Sequence, residues 1–168
     1  MFNVSNRRNF VVAMLLLMIT ILAATSVSAE GSAQNQPNET FSLNFANLVL
    51  TLPSSGTRSF SNVVVGPSNT PNGITFEFDM TTSGPNGRQT TNHIIAVLIA
   101  LLVDNRMSYT LENVMISSYS DTVPSNVQNA LRRVLVRSLT NAFREQMGSG
   151  HRITGFEVTG DGITVTYR

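Results

Sequence analysis

The sequence predicts a single α+β domain in which a twisted antiparallel β-sheet packs against one long amphipathic helix. Residues 124–147 place apolar side chains every three or four positions, the period of a helix with one buried face. Residues 93–116 contain two strand-like runs around a short polar turn, and residues 152–168 contain two more around Gly-Asp-Gly. Such a helix extends ~36 Å and ten strand residues extend ~33 Å, so the helix can cover one face of the longer hairpin.

The beginning of the chain has the composition of a signal peptide. Arg7 and Arg8 precede an apolar core at 10–24, and small residues then lead to Ala29. We expect residues 1–29 to be removed by cleavage after Ala29 and the mature protein to be exported, whether secreted, periplasmic or associated with the cell envelope. The arginine pair also resembles a twin-arginine signal, but the strongly apolar core favours the general secretory route. An uncleaved membrane anchor is the remaining alternative.

Residues 30–40 are small and polar, and we predict a flexible segment there, followed by the domain at 41–168. The start of the domain has two interpretations. Apolar residues at helical spacing predict a short helix over 45–52 that ends before Pro53, whereas the alternation that begins at Phe41 is typical of a strand. We favour the helix.

Two strands are predicted ahead of the long hairpin. Residues 59–65 are rich in valine, and residues 74–80 alternate apolar with polar side chains, which indicates one face in water. The stretches GPSNTPNG and SGPNG have the composition of the turns that would end these strands.

Residues 93–103, HIIAVLIALLV, are apolar on every side apart from the first residue. A deeply buried helix would suit this composition, but a strand is favoured because 104–106 resemble a hairpin turn and 107–111 alternate as a returning strand. The apolar phase then shifts, which predicts a β-bulge near Glu112 and Asn113.

The long helix and the closing hairpin complete the domain. Pro124 suits the start of a helix, and Gly148 suits its end. After a Gly-Ser-Gly turn, the last strands are predicted on either side of residues 160–162.

Composition excludes several kinds of chemistry. The chain has no cysteine, and all eleven of its basic residues are arginine, so Schiff bases, phosphate-loop lysines, thiolate nucleophiles and thiolate metal sites are absent. Two histidines cannot build a histidine-rich zinc site. Nine arginines then oppose ten acidic residues after the predicted leader, which argues against nucleic acid as a partner. We expect no catalytic residues, no metal and no cofactor.

The order of elements resembles that of a group of small exported bacterial proteins and, more remotely, of the LmeA-like phospholipid-binding family. The matching features are the hairpin around VDNR, the proline-initiated helix VPSNVQNALRRVLVRSLTNAFREQMG and the closing hairpin ITGFEVTGDGITVTYR. The resemblance covers residues 60–168. It implies a lipid or another apolar ligand held by a curved sheet and its helices, and it carries over no individual site residue.

A strand that is apolar on both faces needs a cover on each face. The chain itself can supply the second cover, through its short helix or its first strands, or a ligand can. On the second hypothesis the protein binds a lipid or similar apolar ligand without catalysis, outside the cytoplasm, and five residues line the ligand: Ile94, Leu98, Leu102, Met107 and Met115. The alternative is a structural or protein-interaction module of the cell envelope, and the sequence leaves the oligomeric state open.

Arginines form a stripe on the predicted long helix. Arg133, Arg137 and Arg144 follow one another at spacings of four and seven, with Arg132 beside them. A solvated helix face explains this pattern, and so does contact with an anionic headgroup at a membrane surface. His93 and His151 are interpreted as polar residues at the ends of strands rather than as catalysts.

Overall fold

In residues 37–119 and 122–168, which the computed structural model describes, seven strands form two antiparallel sheets, and one long helix packs against them. The predicted α+β fold is confirmed. The predicted signal peptide lies outside these residues. The strands are β1 (Glu39–Asn44), β2 (Arg58–Pro67), β3 (Gly73–Ser83), β4 (Gln89–Val103), β5 (Arg106–Ile116), β6 (Ile153–Val158) and β7 (Gly162–Tyr167), and the helix is α1 (Ser125–Met147).

The larger sheet has the strand order β2-β3-β4-β5, so each strand after β2 pairs with the one before it in the chain. The interpretation of residues 93–103 as a strand is confirmed, and β4 begins four residues earlier than predicted. Asp104 and Asn105 connect β4 to β5 with φ angles of 50° and 56°. Positive φ at both positions is the geometry of a tight hairpin turn, and Asp and Asn tolerate it better than most residues do.

The predicted bulge lies in β5. Val97 pairs with Asn113, and its neighbour Leu98 pairs with Leu111, so Glu112 has no partner residue on β4. The extra residue restores the alternation, because it lets Leu111 and Val114 both pack against the core.

The smaller sheet has the order β1-β7-β6 and joins the two ends of the domain. Glu39 pairs with Tyr167, and the Tyr167 hydroxyl donates to Glu39 Oε2 at 2.6 Å. The predicted short helix over 45–52 is wrong: only Phe45–Asn47 forms a 3₁₀ turn. The predicted flexible segment also ends too late, because Glu39 already belongs to β1. β1 instead follows the alternative interpretation, the alternation that begins at Phe41: Phe41 and Leu43 are half-buried, and Ser42 between them is exposed.

The core lies between α1 and the inner faces of both sheets. Even-numbered residues of β3 and β4 point toward the helix, whereas Glu77 on the opposite face of β3 is exposed, as predicted. Side chains that are fully buried there include Ile74, Phe76, Phe78, Ile94, Leu98, Leu135, Leu139, Ile163 and Val165. Ser138 is buried among them, and its hydroxyl donates to the Thr51 carbonyl at 2.5 Å, which fastens the irregular chain before β2 to the helix.

On the outer face of the larger sheet, β4 presents an apolar row that is not closed. Ile95, Val97 and Ile99 of β4 are half-buried, while Leu101 is 44% and Val103 is 52% exposed. Apolar side chains at the Val103 end of β4 are therefore in contact with water. Within the described part of the chain, no helix is both long and apolar enough to cross a membrane.

Candidate functional site

The five residues predicted to line a ligand do not share one surface. Ile94 and Leu98 are fully buried against the core, and Leu102 and Met107 pair with each other, half-buried, near the hairpin turn. Met115 pairs with Ile95 on the opposite face of the sheet and is 61% exposed. Alternation along the strands therefore separates Met115 from the other four.

An open depression of about 580 Å³ lies between the first half of α1 and one end of the larger sheet. We call it the apolar groove. Its apolar lining comes from β2, β3, the end of β5 and the helix, and includes Phe60, Met80, Ile116, Val127, Ala130 and Val134. Arg58 and Arg88 lie among its polar lining residues.

The local sequence explains why this groove stays open. Val127, Ala130 and Val134 belong to the apolar stripe of α1 but remain half-buried, because the stripe is wider than the face that the core covers. On the sheet side, Phe60 pairs with Met80, and its ring packs edge-on against Phe78 at 5.8 Å. The groove is thus an extension of the core surface that remains open to water.

A second depression, of about 640 Å³, lies between the second half of α1 and β5. We call it the arginine pocket. All three arginines predicted to contact a headgroup, Arg133, Arg137 and Arg144, line it, together with Arg132 and with Met107 of the predicted ligand wall. The rest of the lining consists of one apolar side chain, Val136, and four polar ones, Ser108, Tyr109, Thr140 and Asn141.

The arginine pocket is strongly basic. No acidic side chain of the described residues lines it, and none lies within 4 Å of these guanidinium groups as an ion pair. Arg133 is oriented by its own helix, because its Nε donates to the Asn129 carbonyl at 3.3 Å. Burial raises the pKa of Tyr109 above its ordinary value, and a hydrogen bond with Thr140 partly offsets this.

A polar cluster on the outer face of the larger sheet was not foreseen from the sequence. His93 Nδ1 lies 2.9 Å from Asp79 Oδ1, and His93 Nε2 lies 3.3 Å from Glu77 Oε1. Asn62 donates to the other oxygen of Asp79 at 2.7 Å. The alternation of β3 placed both carboxylates on the wet face, but only the register of β3 with β4 brings His93 beside them.

The contact with Asp79 raises the pKa of His93, and the hydrogen bonds from Asn62 and His93 lower the pKa of Asp79. His151, by contrast, packs edge-on against the Tyr167 ring at 5.1 Å. Among the described residues no group of three His, Asp or Glu side chains is arranged to hold a metal ion.

Comparison with known proteins adds no assignment. No protein-family model, no curated protein and no solved structure matches the chain significantly. The resemblance to the LmeA-like family therefore stays a prediction from the order of its elements.

Proposed function

We propose that this protein binds a lipid or a similar apolar ligand in the apolar groove, without catalysis and outside the cytoplasm. The observation that carries the proposal is the groove itself, whose lining is mainly apolar and whose volume of about 580 Å³ is that of a small-molecule site. The extracytoplasmic location rests on the composition of the predicted signal peptide.

Ligand binding there has a clear driving force. Phe60, Met80 and Val134 present apolar surface to water, and covering such surface contributes about 25 cal/mol per Å². The thioether of Met80 adapts to irregular ligands. The guanidinium groups of Arg58 and Arg88 can pair with the polar end of an amphiphile whose chain occupies the groove.

The test is organic extraction and mass spectrometry of the protein purified after expression of the full chain. We expect an apolar ligand in near-stoichiometric amount. Ala130→Phe should fill the groove and remove that ligand, whereas Ala46→Phe makes the same change at an exposed position outside the groove and should leave it bound. An empty protein that also takes up no added fatty acid would overturn the proposal.

A second candidate function, protein interaction, is favoured by the outer face of the larger sheet. Val64 and Met115, each 61% exposed, lie on the same face as Leu101 and Val103. Leu101 and Val103 continue the apolar row of Ile95, Val97 and Ile99 along β4, and exposed apolar surface of this kind is typical of interfaces. Sedimentation velocity of the same preparation over a range of concentrations distinguishes the two: a ligand-free protein that dimerises favours interaction, and a ligand-bound monomer favours the groove.

A further inference from the structure

We infer that the arginine pocket binds a phosphoryl oxyanion, at a site distinct from the apolar groove. The two depressions share no lining residue: the groove uses α1 from Asn126 to Val134, and the pocket uses positions of the same helix that begin at Arg132 and end at Arg144. The inference goes beyond the binding of an apolar ligand and does not depend on it.

The first argument is charge. Arg133, Arg137 and Arg144 lie at spacings that bring side chains to the same side of a helix, and Arg132 joins them in the pocket. Like charges four residues apart destabilise a helix unless a counter-charge is near. Among the described residues that line the pocket there is no carboxylate that could supply this counter-charge. A bound anion from outside the chain would neutralise the arginines.

The second argument is the number and shape of the donors. A guanidinium group presents a planar fork of N–H donors that matches two oxygens at once. One arginine therefore satisfies a carboxylate, whereas several arginines around one space match a phosphoryl group with its three or four oxygens. Asn141 and Ser108 add neutral donors at the rim of the same space.

The third argument is that part of the site is fixed before an anion arrives. The Nε donation from Arg133 to the Asn129 carbonyl restricts that guanidinium, and the half-buried Tyr109 and Met107 form a wall that keeps water from one side. Charge-assisted hydrogen bonds strengthen where water is partly excluded. The four arginines themselves are exposed, so the site has a wall of half-buried side chains on one side and is open to solvent on the other.

The test titrates inorganic phosphate into the full-chain protein by calorimetry and by amide NMR at low salt and at 0.15 M salt. We expect saturable binding that persists at the higher salt, with shifts centred on Tyr109 and Asn141. Arg137→Gln combined with Arg144→Gln should weaken binding roughly tenfold or more. The matched control, Arg106→Gln combined with Arg168→Gln, also removes two positive charges, at exposed positions outside both depressions, and should leave binding unchanged.

The NMR map needs no variant, so the inference can fail even if the double variant does not fold. Absence of saturable phosphate binding, shifts elsewhere in the protein, or an unaffected double variant would each overturn it. None of these results bears on the apolar groove, because the extraction experiment reports on that site alone.

The source of the phosphoryl group follows from vesicle co-sedimentation at 0.15 M salt. Binding to phosphatidylglycerol vesicles but not to phosphatidylcholine vesicles, lost in the double variant, assigns the pocket to a lipid headgroup. Saturable phosphate binding without vesicle binding assigns it to a soluble phosphorylated ligand. Both outcomes support an oxyanion site.

Discussion

Removing the ring of Phe143 should separate the end of α1 from the smaller sheet. Phe143 is only 1% exposed, and its ring lies 6.2 Å from that of Phe41 in β1 and 6.0 Å from that of Phe156 in β6. One side chain of the helix therefore contacts both edge strands of this sheet.

The magnitude follows from burial. Replacement of a fully buried phenylalanine by alanine costs about 3–5 kcal/mol, which includes the cavity left behind. Loss of two aromatic contacts places Phe143→Ala toward the upper half of that range. A domain of this size has a free energy of unfolding of about 5–15 kcal/mol, so the variant should be marginally stable.

Urea unfolding followed by far-ultraviolet circular dichroism measures the change, and an unaltered m value would show that the transition is comparable with that of the wild type. Phe143→Leu removes fewer atoms and leaves a smaller cavity, so it should cost less than Phe143→Ala. A loss below about 1 kcal/mol for Phe143→Ala would refute the view that this ring fastens α1 to the smaller sheet.

Two further predictions concern single contacts. Asp79→Asn should lower the pKa of His93 toward its ordinary 6.5, as read from the imidazole resonances in an NMR titration, and an unchanged midpoint would contradict the contact. The pKa of His93 is raised in the folded protein, so its contribution to stability is present below pH 6.5 and is lost as the pH rises through the folded pKa. The pKa of Asp79 is lowered, so its contribution is present above pH 3.8 and is lost as the pH falls through the folded pKa. Gly162→Ala should destabilise the protein by about 1–3 kcal/mol in thermal unfolding, because a Cβ there would collide with the Leu43 backbone. Gly160→Ala, where a Cβ would meet nothing within 4 Å, is the control, and equal losses would refute the reasoning.

Elements that the sequence predicts well are those stabilised by contacts close in the chain. The helix from Ser125 has a complete apolar period, and the hairpin around Asp104 joins strands whose pairing follows from one short turn. The strand at 39–44 is the alternative that alternation from Phe41 indicates, but a few alternating residues cannot outweigh the helical spacing that follows them, and the β7 partner that decides the matter lies more than a hundred residues away. The sequence predicts one sheet, whereas the structure has two, and the second sheet depends on the same pairing of β1 with β7.

The arginine pocket was partly predictable, because helical spacing alone brings Arg133, Arg137 and Arg144 to one side. The apolar groove was not predictable in the same way. Its lining comes from four strands and the helix, and residues such as Phe60 and Ala130 become neighbours only through the packing of α1 across the sheet. The ligand lining that we predict from the alternation of β4 and β5 includes Ile94 and Leu98, and both of these residues are fully buried in the core.

The central position of β7 in the smaller sheet has a consequence for how the molecule assembles. β1 and β6 both pair with β7 and not with each other, so neither has its partner until residues 162–167 have been made. Synthesis proceeds from the N-terminus, and contacts of such long sequence separation form slowly. β1 should therefore remain an unpaired segment while the larger sheet forms, and a circular permutant that links Tyr167 to Glu39 by a short loop should fold faster than the natural order of strands.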